Sequence, residues 1–163
     1  MICHSSRLSL LYSFLIGIIG GVVSTSIMTL TEIPSWKRWG LHGVFEWHEN
    51  QILSNRLLRL SDRKGIHFRG IFFLHFLNGT LAGIAFPFIV SLFIFLDIII
   101  PLYSPGVLYG ILLWILTLVP IHRPITGFPP WNHPLGHLPA LASLSGHIVY
   151  GLVLGILTSF LIT

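Results

Sequence analysis

Charge is scarce in this sequence. Of its 163 residues only 9% are charged and 53% are hydrophobic, whereas a water-soluble domain carries about 25% charged residues. With a mean hydropathy of +0.85, the chain has too little polar surface to cover itself in water. Cysteine is nearly absent: Cys3 stands alone, which excludes an internal disulfide framework and any multi-cysteine zinc or iron–sulfur site. The sequence has no Walker loop, no dinucleotide fingerprint, no nucleophile elbow and no pair of intramembrane aspartates. Nor is there a separate basic domain, so nucleic acid is not an expected partner.

Long apolar runs are what the chain has instead. Four of them, roughly 11–30, 71–96, 98–119 and 138–162, reach the ~20 residues that a helix needs to cross a bilayer. The first is longer than the 7–15-residue core of a signal peptide, and TSIMTLTEIP after it offers no small-x-small cleavage site. It reads as a retained span. The expected fold is therefore all-α: one polytopic membrane domain over 1–163, a four-transmembrane-helix bundle. Loop 1 would occupy 31–70, and a proline-rich loop 3 would occupy 120–138.

The basic residues set the orientation. Lys37, Arg38, Arg56, Arg59, Arg63, Lys64 and Arg69 lie in loop 1, Arg123 lies in loop 3, and only Arg7 falls on the other side. The positive-inside rule puts both loops in the cytoplasm and both termini outside. Anionic lipid headgroups are the expected counter-charge of that basic face.

Glycine recurs with a period. Gly17 and Gly21, Gly79 and Gly83, Gly106 and Gly110, and Gly151 and Gly155 give each span one Gly-x-x-x-Gly. In lipid, small residues at this spacing let helix backbones approach. Two of the four segments also share a histidine: HFLNGTLAG (75–83) and HIVYGLVLG (147–155) both read His-x-x-(Asn/Tyr)-Gly-x-x-x-Gly. The offset suggests two repeated helical hairpins. Intervals of four place His75, Gly79 and Gly83 on one face, and His147, Gly151 and Gly155 on another. Glu32 ends a stripe of Gly17, Gly21, Thr25 and Met28 on the first helix. An intramembrane polar cluster of Glu32, His75, Asn78, His147 and Tyr150 is the result. The plainest role for such histidines is hydrogen bonding between helices, worth about 0.6 kcal/mol on average. A proton path, or metal or haem ligation, is the sharper alternative.

Loop 1 carries HGVFEWHEN (42–50), with His42, Glu46 and Glu49 at helical spacing and His48 off that stripe. Carboxylate with imidazole suits a transition metal, although the His-Glu-x-x-His order of a metalloprotease is missing. The competing expectation is an interfacial amphipathic helix over about 43–62. Val44, Phe45, Trp47, Ile52, Leu53, Leu57, Leu58 and Leu60 would rest on the membrane, and Arg56, Arg59 and Arg63 would meet headgroups. Loop 3 holds Pro120, Pro124, Pro129, Pro130, Pro134 and Pro139, which predicts an extended cap without regular helix. His122, His133 and His137 on it complete a candidate loop-borne metal set with His42, Glu46, His48 and Glu49. No cofactor is required by any of this; a metal ion or haem belongs to the alternative.

Gly-x-x-Gly-Gly-x-x-Ser-Thr-x-x-Met (17–28), His-x-x-x-Gly (75–79), Gly-x-x-Tyr-Gly-x-x-x-Trp (106–114) and His-x-x-Tyr-Gly-x-x-x-Gly (147–155) together resemble a broad group of small prokaryotic four-span integral membrane proteins of unknown function. That resemblance implies a compact four-helix membrane unit and no activity. The functional expectation is an accessory, non-catalytic subunit of a larger membrane complex, of respiratory or membrane-monooxygenase type, whose partners are other membrane subunits or copies of itself. The alternative is a His-based metal-, haem- or proton-handling membrane protein or a small transporter.

Overall fold

The computed structural model describes residues 10–58, 65–96 and 100–162. Cys3, Arg7, Arg59, Leu60, Arg63 and Lys64 lie outside them. Among the described residues the chain is helical, without strands. The helices are α1 (Leu10–Trp39), α2 (Phe45–Leu57), α3 (Phe68–Phe95), α4 (Tyr103–Leu113), α5 (Val119–Thr126) and α6 (Leu138–Ile162). A π turn over Trp114–Leu118 joins α4 to α5 into one rod. Four segments are long and apolar enough to cross a membrane: Leu10–Trp39, Phe68–Phe95, Tyr103–Thr126 and Leu138–Ile162.

Around the bundle, α1 packs along α3, α4 along α6, and α1 along α6, which joins the two pairs. The contacts within each pair run through backbone. A methyl group on Gly83 would strike the Gly21 backbone, and one on Gly17 would strike Ile84 of α3. On the other side, a methyl group on Gly151 would strike the Gly106 carbonyl, and one on Gly110 the His147 carbonyl. Tyr150 ties the pairs together by donating to the Gly79 carbonyl at 2.6 Å. Met28, Phe86, Val90, Tyr150 and Leu154 form the central apolar core.

Three sequence expectations need correcting. The first helix continues past residue 30 to Trp39, so much of the proposed loop 1 is helix. Pro34 sits inside it, in a ring-compatible conformation that removes one hydrogen bond without ending the helix. The third span is shifted: its helix runs Tyr103–Thr126, not 98–119. Residues 120–126, expected to be extended cap, are helical. Pro120 falls in the opening turn of α5, where a missing N–H costs little, and the π turn before it absorbs the change of register. The helix ends at Gly127, whose φ of 86° is left-handed and favours glycine.

The third correction concerns α2. It spans 13 residues, fewer than the expected 43–62, and its first turn faces protein. Val44, Phe45 and Trp47 are buried, against Trp36, Ile71 and Phe72 on one flank and Trp114, Leu118 and Ala140 on the other. Only Leu57 and Leu58, at its end, are strongly exposed. The reason is its polar stripe: Glu46 and Glu49 find imidazole partners on the spans, so the helix turns that stripe inward and its aromatics follow. Gln51 Oε1 accepts from the His67 N–H at 2.7 Å at the head of α3, and Arg56 donates to the Ile125 carbonyl at 3.2 Å at the foot of α5. Both bonds satisfy backbone groups that a helix end leaves unpaired. α2 thereby closes one end of the bundle.

Candidate functional site

Beneath α2, three glutamates meet three histidines. Each pair joins two different elements. Glu32 Oε2 of α1 lies 3.6 Å from His75 Nε2 of α3, and the same oxygen accepts from the Trp47 indole N–H at 2.8 Å. Thr29 Oγ1 approaches His75 Nε2 at 3.1 Å. Glu46 Oε1 of α2 lies 3.3 Å from His147 Nδ1 of α6 and also accepts from the Ser143 hydroxyl. His147 Nδ1 is 3.1 Å from the Ser143 carbonyl; since a carbonyl only accepts, this nitrogen carries the proton. Glu49 Oε1 of α2 lies 2.7 Å from His122 Nδ1 of α5.

Burial makes these pairs consequential. Glu32 is 4% exposed, His75 5% and His122 0%, and among the described residues Lys and Arg supply none of their ion-pair partners. The donors and acceptors are also incompletely used. Glu32 Oε1, Glu46 Oε2, His48 Nδ1 and His122 Nε2 are buried without a hydrogen-bond partner. These four atoms leave hydrogen-bonding capacity in the cluster beyond the pairs already described.

A second layer of imidazoles adjoins the first. The His42 and His48 rings are 4.4 Å apart, His122 and His133 are 6.4 Å apart, and Phe45 stacks between them at 4.2 Å from His122 and 5.1 Å from His133. Burial, then repulsion from His42, His122 and His133, pulls the His48 imidazole down to about 4. Burial, then repulsion from His122 and His42, lowers His133. Glu49 moves the opposite way, because burial raises its carboxyl more than the bond to His122 lowers it. Both kinds of group therefore favour the neutral form in this enclosure.

The linkage signs differ. A depressed histidine contributes stability that is present above its unfolded value of 6.5 and is lost as pH falls toward about 4. A raised carboxyl contributes stability that is present at low pH and is lost as pH rises. In thermal unfolding in detergent His48 should therefore lower the midpoint at pH 4.5 relative to pH 7, while Glu49 works in the opposite direction. His48→Gln should flatten that slope. A His48→Gln variant with the same pH dependence as the parent protein would contradict the buried neutral imidazole.

The remaining sequence candidates fall in different places. Tyr150 is buried, donates to the Gly79 carbonyl and lines the same cavity as Glu46 and Glu49. Asn78 is exposed on α3, at the rim of a cavity. His137 is exposed at the head of α6. His42, His48, His122 and His133 do approach one another, with Glu49 bonded to His122. Still, no group of three or more acid, histidine or cysteine side chains among the described residues is arranged to hold a metal ion. Ser143 and Thr29, which hydrogen-bond Glu46 and His75, carry no sequence expectation, and Trp47, expected to rest on the membrane, donates instead to Glu32. Their only signal was that each sits a turn or less from an ionisable residue.

The cavity holds ≈ 480 Å³. Glu46, Glu49, His75 and His147 line its polar end, and Met28, Leu81, Ala82, Leu113, Leu118 and Ile121 its apolar walls. On the far side of Tyr150 the bundle contains no acid, histidine, lysine or arginine among the described residues, and Ile16, Phe86, Val90 and Leu154 close it. Comparison of the chain with protein-family models, curated proteins and solved structures finds no match.

Proposed function

We propose that this chain is a multi-span membrane protein whose working part is an acid–base centre buried at one end of the helix bundle. The observation that carries the reading is the set of three carboxylate–imidazole pairs, Glu32–His75, Glu46–His147 and Glu49–His122, gathered beside one cavity. Imidazole and a carboxyl of raised proton affinity are the side chains that exchange protons near neutral pH, and strongly perturbed groups concentrate at functional sites. The asymmetry of the bundle narrows the role. Ionisable groups fill one end, and apolar side chains fill the other, so the arrangement suits proton exchange with a bound molecule from one side better than a proton wire across the bilayer. By the distribution of Lys and Arg, that end faces the cytoplasm.

The accessory-subunit reading draws on the same helices. It needs small-residue faces free to receive partner spans, but Gly17, Gly21, Gly83, Gly106, Gly110, Gly151 and Gly155 lie against backbone of this chain, and Gly79 lies against the Thr25 side chain. That favours a self-contained bundle. The paired glycine seams also remain compatible with two repeated hairpins.

Infrared spectroscopy of the purified protein in lipid nanodiscs tests the acid–base centre. A protonated-carboxyl band should persist above pH 4.5, the ordinary value for glutamate, and Glu49→Gln should remove part of it. If every carboxyl titrates together in the ordinary range, the reading falls.

A further inference from the structure

The cavity is open on the side where the bundle fails to close. α1 packs on α3, α6 on α1 and α4 on α6, but α3 and α4 do not pack along each other. They meet at one level, where the Tyr109 hydroxyl donates to the Ala82 carbonyl at 2.7 Å and its ring lies 5.3 Å from Phe86. Toward α2 from that bridge the two rods are separated. The gap is rimmed by Asn78 and Leu81 on α3, and by Thr117 and Ile121 on the opposite rod, all exposed. The π turn sharpens it. Trp114 and Leu118 turn inward and are buried, while Ile115 and Leu116 face out, which re-aims the wall at this depth. In a membrane, such an opening faces acyl chains.

The two ends of this space differ in chemistry. The outer walls are leucine, isoleucine and alanine, and they lie at the depth of lipid hydrocarbon. The floor is α2, which presents Glu46, Glu49 and Asn50. Glu46 Oε2 is a buried acceptor with no donor. Among the described residues neither lysine nor arginine lines the cavity, so a phosphate or carboxylate head would meet the Glu46 and Glu49 carboxyls with no cation among those lining residues to offset them. A head that donates hydrogen bonds would meet acceptors that lack them.

The geometry points to a membrane-dissolved amphiphile as occupant: a long-chain alcohol or amine that enters sideways between α3 and the α4–α5 rod, with its hydroxyl or amino head on Glu46 and its chain along Leu81, Leu113 and Ile121. The volume of ≈ 480 Å³ lies in the 300–1,000 Å³ range usual for small-ligand sites. The inference rests on the acid–base reading only for an amino head, the one of the two that can exchange a proton with the Glu46 carboxyl; a hydroxyl head only donates a hydrogen bond there. Entry of the chain stands independently of that exchange.

Photolabelling tests it on the full-length protein in nanodiscs. The probes are hexadecanol, hexadecylamine and hexadecanoic acid, each carrying a diazirine in the chain and a terminal alkyne. The alcohol and amine should label peptides around Leu81, Leu113 and Ile121, and the acid should not. Thr117→Trp, which fills the opening from an exposed position, should abolish that labelling. Leu112→Trp, on the outer surface of α4, should leave it intact. Glu46→Gln should cut amine labelling about tenfold, the loss expected for a charge-assisted hydrogen bond. Labelling spread evenly over all four long helices, equal labelling by the acid, or indifference to Thr117→Trp would overturn the proposal. Specific labelling combined with ordinary carboxyl titration would remove the acid–base centre and keep the occupant; the reverse would remove the occupant and keep the centre.

Discussion

Gly151→Leu is expected to break the bundle. Position 151 lies against the Gly106 carbonyl and the Gly110 backbone, so the new side chain meets main chain that has no rotamer through which to withdraw. Overpacking of an interior costs roughly 1–3 kcal/mol when side chains can adjust; here α4 and α6 must separate along the seam, and the cost should reach or pass the upper end. Gly83→Leu should do the same to the α1–α3 seam, where it meets Gly21 and Gly17. Leu112→Ala, on a half-exposed outer position, should change little. The measurement is the thermal midpoint and the fraction of monodisperse protein in mild detergent. Parent-like midpoints for both glycine variants would show that the helices do not meet as described.

The second large effect is expected from His122→Leu. His122 is fully buried and donates to Glu49 at 2.7 Å. Without it, Glu49 is left as an acid in an apolar enclosure. Removing one member of a buried pair costs about 3–5 kcal/mol, because the other is left uncompensated. The deficit should grow as pH rises, since the Glu49 carboxyl, already held above its ordinary range by burial, must then ionise without a donor. Below pH 4.5 it should shrink. Combining His122→Leu with Glu49→Leu should restore much of the loss, because replacing both partners by apolar groups of similar size is often neutral. A double variant no more stable than His122→Leu alone would mean that the pair does not act as a unit.

The four long helices were legible because lipid-length apolar runs have few alternative structures: any other backbone would leave its polar groups unpaired in hydrocarbon. The approach of Glu32 and His75 was also within reach of helix periodicity, since His75 sits four residues before Gly79 and Glu32 sits eleven residues, about three turns, after Gly21 on the face where α1 and α3 come close. The proline-rich segment misled because proline is a helix breaker only where its missing N–H and its ring clash matter. Pro120, in the opening turn after a π turn, meets neither condition, and so His122 rides on a helix that a proline count denied.

The partners of α2 were the part no local pattern could supply. Its sequence reads as amphipathic, and amphipathicity says that two faces differ, not which face meets protein. The choice was made by residues about 70 and 100 positions away, His122 on α5 and Ser143 and His147 on α6, each offering a partner that a glutamate cannot find in lipid. Composition and spacing thus determined that the chain forms membrane-length helices with glycine seams and histidines set along them. Only the tertiary structure decided that α2 folds into the bundle, because the cost of burying three carboxylates is offset by imidazoles carried on other helices.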